Sequence, residues 1–392
     1  MRKPLEGIKI LDLSKYLPGP FATQLLADFG AGVIKIEEPG GEPGRMLPPF
    51  IGGASPRYCS VNRNKRSVIL DLKKPEGRGV FMKLAEDADV VVDQFRPGVM
   101  DKLGLGYETL RGINSRLIYC AITGYGLTGP WRNSAGHDIN YLSTAGVSGL
   151  MAGRDSVLVL PAIQVADVAG GSLYAVIGIL LALFARSRTG RGQLCDIAMM
   201  DGALSLMSYT LGEWSGNGRL PAAGGELLTG GYAMYNVYRC KDGRHVSLGA
   251  LEQKFWHGFC DSVGRADFRE IQYVPERQEQ LIDEISCIML TRTRDEWVDF
   301  FSGRDICFTP VLDLDEVPEH EQVRARDMIL KITGFMGGDR DIFVTGNPVK
   351  LSDTPCEIKT EFAAAGADTV SVLMEAGYPA SEIDELRRRG VI

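Results

Sequence analysis

Short apolar runs alternate with segments of helical period along the first half of the chain. Ile8 to Leu13 is such a run, ending in Asp12, Leu13 and Ser14, and it predicts a buried strand. The turn Pro18-Gly19-Pro20 stops it. Phe21 to Phe29 then has helical spacing, with Gly30 just past the end, where a left-handed cap needs a residue without Cβ. Val33 to Ile36, Val68 to Leu72, Val90 to Asp93 and Leu117 to Ile122 predict further strands, and Pro75 to Ala88 and Tyr107 to Asn114 predict helices between them. Strands alternating with helices imply right-handed crossovers and a parallel sheet covered on both faces. The expected fold class is α/β, with a large domain of nucleotide-binding type. The first strand is not followed by G-x-G-x-x-G, which argues against a dinucleotide site.

From Asp167 to Arg186 the pattern predicts one long apolar helix, followed by the turn Thr189 to Gln193 and a short strand, Leu194 to Ile197. Its most apolar stretch, Ser172 to Phe184, is too short to span a bilayer and reads as a buried helix. Residues 1–211 thus form the first part of a large domain. The Gly-, Pro- and polar-rich residues 212–231 read as a linker with a flexible loop. A small α/β domain over 232–320 opens with a hairpin: Tyr235 to Arg239, a turn at Lys241-Asp242-Gly243, and Val246 to Leu248. Residues 321–392 should return to the large domain and end in the charged helix Ala380 to Arg389.

A chain of 392 residues is long enough for two lobes with separate cores. Its net charge of -7 argues against a nucleic-acid role, so an anionic ligand would have to be met by a local basic cluster. The eight cysteines contain no C-x-x-C pair and read as reduced thiols. The N-terminus, Met-Arg-Lys-Pro-Leu-Glu-Gly, lacks the apolar run of a secretory signal. A cytoplasmic protein with no membrane partner is expected.

Three residues stand out as candidates for chemistry. Asp167 directly precedes the apolar helix, where it serves either as a plain N-cap or as a carboxylate exposed to a ligand that Gly170 and Gly171 allow to approach. His137, in Ser134-Ala135-Gly136-His137-Asp138, lies at a loop-to-helix junction and suits a general base near neutral pH. No second His or Cys lies at ligand spacing from it, so no metal is expected. Glu252 follows a strand and reads either as a first-turn helix carboxylate or as the group that orients a histidine. Two basic clusters, Asn62-Arg63-Asn64-Lys65-Arg66 with Lys73, and Phe95-Arg96 with Lys102, are expected at one sheet edge, where a polyanion such as a nucleotide diphosphate would be held.

Taken together, these segments resemble the family III CoA-transferases (the CaiB/BaiF type), a group that also contains the α-methylacyl-CoA racemases. The likeness runs through Leu11-Asp12-Leu13-Ser14, Ala31 to Glu37, Asn64-Lys65-Arg66-Ser67, Phe95-Arg96-Pro97-Gly98, Leu103 to Tyr107, Gly124-Tyr125-Gly126, Thr189 to Gln193 and Asp201-Gly202. The resemblance implies a homodimer of two chains interlocked as rings, with an acyl-CoA thioester as substrate and no prosthetic group. It places Gln94, Phe95, Arg96, Val99 and Lys102 in the CoA site, beside the basic candidates Lys65, Arg66 and Lys73. In the transferases the residue matching Asp167 attacks the thioester, giving a mixed anhydride and then an enzyme–CoA thioester. In the racemases the matching aspartate and a histidine stand on opposite faces of the α-carbon.

The racemase pattern asks for a Gly-His-Asp histidine, the aspartate and a glutamate after Gly-Ala-hydrophobic, and the sequence offers His137, Asp167 and Glu252. Formyl-CoA transferase-like members carry a glutamine in the first loop where this chain has Leu17. The expected function is therefore epimerisation of 2-methylacyl-CoA, with CoA transfer as the alternative. Such chemistry needs donors for an enolate oxygen, for which backbone N–H groups at Val168, Gly170, Gly171 or 221–231 are candidates. It also needs an apolar slot, for which Met199, Met200, Met207 and Tyr232 are candidates.

Overall fold

A computed structural model describes residues 2–153 and 157–392. Its centre is a six-stranded sheet made of β1 (Lys9–Asp12), β2 (Gly32–Glu37), β3 (Lys65–Ile69), β4 (Val90–Asp93), β5 (Ile118–Thr123) and β6 (Leu194–Ala198). The spatial order is β3-β2-β1-β4-β5-β6, and every neighbouring pair is parallel. Strands β4 and β5 are buried at every position, as unbroken apolar runs must be when helices cover both faces. Leu11, Val68, Val91 and Tyr119 join Phe81, Leu84 and Leu110 of the crossover helices in one core. The strand order reverses between β1 and β4, so their carboxyl ends splay apart and open a crevice.

The chain divides into two compact units. The larger holds Met1–Ala145, Ile163–Leu206 and Glu321–Ile392. Its tail closes the sheet edge at β3: Val372, Leu373, Ile383, Leu386 and Val391 enter the same core, and Asp71 N–H donates to Val391 O. The smaller unit holds Gly146–Ala162 and Met207–His320. It is built on an antiparallel sheet of β7 (Tyr235–Arg239), β8 (His245–Gly249) and β9 (Phe308–Pro310), with Trp256, Phe259, Trp297 and Phe301 stacked behind it.

Three expectations are corrected. The third strand begins at Lys65, not Val68, because Lys65 and Ser67 are buried and pair with β2 despite being polar. The segment 212–231 starts inside the helix Ser208–Asn217, and Glu226 then ties the Gly-rich stretch by accepting from Ala222 N–H and pairing with Arg219. The apolar helix is continuous from Ala166 to Thr189, 24 residues, long and apolar enough by composition alone to cross a membrane. It is not buried all round, however. Ala175, Ile179, Ala182 and Arg186 face inward, Arg186 pairing with Asp89, whereas Leu173, Ile177, Leu180, Leu181 and Phe184 form an exposed stripe.

Candidate active site

The loops that leave the carboxyl ends of β1, β4, β5 and β6 enclose a cleft of about 740 Å³. After β1 come Tyr16 and Pro18, after β4 Gln94, Phe95, Arg96 and Pro97, after β5 Gly124, and after β6 Met199. The loops are joined across the crevice, because Gly19 N–H donates to Gln94 Oε1 at 3.1 Å. Any larger residue at Gly19 would collide with Ser14, since an added Cβ would lie 2.1 Å from Ser14 Cβ.

Asp167 and His137 both line this cleft. Asp167 is the second residue of a π-helical stretch, Ala166–Leu173, preceded by Val165, so it is not the cap that its position in the sequence suggests. π-Helical geometry is rare and recurs at functional sites. The two helices beside the site approach closely: a Cβ on Gly170 would lie 2.5 Å from Met199 O, and one on Gly202 would lie 2.4 Å from Gly170 Cα. Gly170 therefore serves helix packing and not ligand access. Val168 N–H donates to Gln164 O, which removes it from the candidate donors to an enolate.

The Asp167 backbone N–H donates to Asp138 Oδ1 at 3.0 Å, so a second carboxylate sits against the first. Burial, and then the charge of Asp138, push the Asp167 carboxyl up to about 7. A carboxyl poised there exchanges protons near neutral pH. Asp138 was visible in the sequence only as the neighbour of His137; its bond to a residue 29 positions away was not.

His137 is exposed and precedes the helix Asp138–Thr144, its backbone N–H donating to Asn140 Oδ1 at 3.0 Å. Tyr141 of that helix passes between Gly124 and Gly136: a Cβ on either glycine would meet its ring at 2.5 or 2.7 Å. The Tyr141 hydroxyl donates to Gly136 O at 2.5 Å, and burial pushes its pKa up to about 12. This packing fixes the Gly136-His137 corner beside Asp167.

Of the expected CoA residues, Gln94, Phe95 and Arg96 line the cleft, together with Arg132, which the sequence reading had missed. Val99 and Lys102 form the short helix that follows, and Lys73 is exposed in the turn after β3. Lys65 and Arg66 are corrections. The Lys65 ammonium is buried and donates to Asp12 Oδ2, Pro20 O and Asn62 Oδ1. The Arg66 guanidinium is held by Glu375 and Ser371 of the tail. Both residues lie at the start of β3, and Arg63 is buried on Asp28, so none of these three side chains lines the cleft. Among the apolar candidates Met199 is in the cleft, whereas Met207 and Tyr232 belong to the smaller unit. Glu252 also belongs to that unit, exposed before the helix Gln253–Ser262.

The family model for CoA-transferase family III matches residues 5–369. The chain is 33% identical to the alpha-methylacyl-CoA racemase of Homo sapiens, over 99% of this chain and 97% of that one. It is equally 33% identical to the acetyl-CoA:oxalate CoA-transferase of Acetobacter aceti, over 90% and 91%. The crystal structure of a CAIB/BAIF family protein from Brucella suis superposes with a TM-score of 0.83, at 28% identity, over 96% of this chain and all of that one. Matches along almost the whole chain, in sequence and in fold, show that this protein belongs to CoA-transferase family III.

Proposed function

We propose that the chain epimerises the α-carbon of 2-methylacyl-CoA thioesters by two-base proton transfer between Asp167 and His137. The observation that carries this reading is that both side chains line one cleft, with Asp167 held near neutrality. A racemase needs one base free and the other protonated, in either order according to which enantiomer arrives. A group whose pKa lies near the working pH serves both states. One base removes the α-proton, the electron pair moves onto the thioester oxygen as an enolate, and the conjugate acid of the other base protonates the opposite face. Asp138 supports this by disfavouring a permanent charge on Asp167. Solvent deuterium entering the α-position in the absence of any acceptor acid tests the reading.

The second reading is CoA transfer. The ionised Asp167 attacks the thioester carbonyl and expels the CoA thiolate, leaving a mixed anhydride. The thiolate then attacks the aspartyl carbonyl and releases the first acid, leaving an aspartyl-CoA thioester. The equal identity to a racemase and to a transferase supports keeping this alternative.

In both readings Gln94, Phe95, Arg96, Val99 and Lys102 bind CoA, with Arg96 and Lys102 gripping its nucleotide end. Arg96→Glu and Lys102→Glu should therefore raise KM for acyl-CoA by about tenfold or more while changing kcat by less than about threefold, because such binding is nearly uniform between ground and transition states. Steady-state kinetics check this, and an unchanged KM in both variants would move the CoA site elsewhere.

A homodimer belongs to the same proposal. The stripe Leu173, Ile177, Leu180, Leu181 and Phe184 exposes large side chains at helical spacing, as a face that another copy covers would. Light scattering should give twice the chain mass at nanomolar concentration. Active monomers there would exclude an obligate dimer.

A further inference from the structure

Tyr16, at the mouth of the cleft, has φ 63°, in the left-handed region that tyrosine rarely occupies. Glycine or asparagine would adopt that backbone with less strain, so the tyrosine at this position calls for a reason.

The surroundings over-determine the conformation. Tyr16 N–H donates at 2.7 Å to Oε1 of Glu42, a carboxylate only 2% exposed. The other oxygen, Glu42 Oε2, lies 3.2 Å from the buried Lys35 ammonium, which in turn donates to Ser14 O at 2.7 Å. Asp12 holds the Ser14 N–H at 2.9 Å and the Ser14 hydroxyl. Lys15 turns the other way, pairing with Glu38 and lying over the Phe95 ring. The loop is thus fixed on both sides of Tyr16, and its ring, 51% exposed, is left facing the cleft that contains Asp167. Two residues on, Pro18 accepts at its carbonyl from the Ser172 hydroxyl of the Asp167 helix at 2.7 Å, which ties the loop to the element that carries Asp167.

We propose that Tyr16 is a specificity-determining residue, its ring forming a wall of the acyl subsite, and that Glu42 is the positioning residue that holds it there. The proposal rests on the acyl-CoA reading of the cleft and names the part of the ligand that Tyr16 meets. It makes the same prediction for epimerisation and for transfer, because it concerns only which acyl groups fit.

The test uses S-alkyl-CoA thioethers, which bind without reacting. Dissociation constants of CoA, S-ethyl-CoA and S-(2-naphthylmethyl)-CoA are measured by calorimetry on the full chain. Tyr16→Gly, which suits the observed φ, should change the bulky-to-small affinity ratio in favour of the bulky ligand by about tenfold or more, with CoA itself within about twofold. Glu42→Ala should move the ratio in the same direction, and Glu42→Gln, which keeps an acceptor for Tyr16 N–H, should restore it. A folded Tyr16→Gly with normal CoA affinity and an unchanged ratio would overturn the specificity role. A folded Glu42→Ala with an unchanged ratio would overturn the positioning role. Wild-type protein that binds neither CoA nor thioether would overturn the acyl-CoA reading, and this proposal with it.

Discussion

Asp167→Ala is expected to lower turnover of any acyl-CoA by about three orders of magnitude or more, leaving CoA affinity and circular dichroism close to wild type. Positioned acid–base groups contribute about 10²–10⁴-fold, and an attacking carboxylate contributes at least as much. Either reading therefore loses its central group. More than about a tenth of the wild-type rate in the variant would sink the assignment of Asp167.

The pH dependence has a definite sign. The folded pKa of Asp167 is raised to about 7 from an ordinary carboxylate value of 3.8, chiefly by burial. The protonated form is therefore the one the fold tolerates. That tolerance is complete below the unfolded value and is lost as pH rises through the folded one, so ionising Asp167 costs stability between about pH 4 and 7. Asp167→Asn, which stays neutral, should gain in Tm over wild type across that window, with no further gain above it. A Tm difference that is flat from pH 4 to 8 would remove the raised pKa from the argument. In wild type, kcat/KM should rise with pH through about 7 where the Asp167 carboxylate acts as base or nucleophile, and fall through about 7 for the enantiomer whose product takes its proton from Asp167.

How much of this was legible in the sequence depended on whether polarity reported burial. Strands β1, β2, β4 and β5 announced themselves as apolar runs, and a parallel sheet followed from their alternation with helices. Strand β3 was misplaced because Lys65 and Ser67 are buried polar residues satisfied by Asp12 and Glu37, partners distant in the chain. Basic residues written side by side looked like one anion site, yet Arg63, Lys65 and Arg66 are consumed by acids that the sequence places tens or hundreds of residues away. Arg96, expected at the sheet edge because it follows a strand's carboxyl end, does line the cleft.

The Asp167 helix shows a different limit. Leu, Ile and Phe on all sides read as burial, but sequence alone does not distinguish burial within one chain from burial against another copy. Nor did it show that Gly170 meets Gly202, or that Asp138 holds the Asp167 backbone, because these depend on how the helices Met199–Ser205 and Asp138–Thr144 each pack against Ala166–Leu173.

The two chemistries separate on His137. If the enzyme epimerises, a 2-methylacyl-CoA incubated in D₂O without an acceptor acid should take deuterium at the α-carbon. His137→Ala should then suppress wash-in on the face that the histidine serves by about 10²-fold or more, while the Asp167 face keeps some exchange. That asymmetry is readable by mass spectrometry on each enantiomer separately, and simple misfolding would not produce it. Glu252→Gln should retain a larger share of exchange than His137→Ala, because an orienting carboxylate does not carry the proton itself. If the enzyme transfers CoA, no α-exchange should occur without acceptor, and His137→Ala should be mild. Hydroxylamine or borohydride should then trap the anhydride or thioester on Asp167, whose acyl carbon is the electrophile in both intermediates. Adduct formation without α-exchange, across several acyl-CoAs, would replace epimerisation by CoA transfer. Exchange without any adduct would exclude the aspartyl intermediates and leave the two-base mechanism standing.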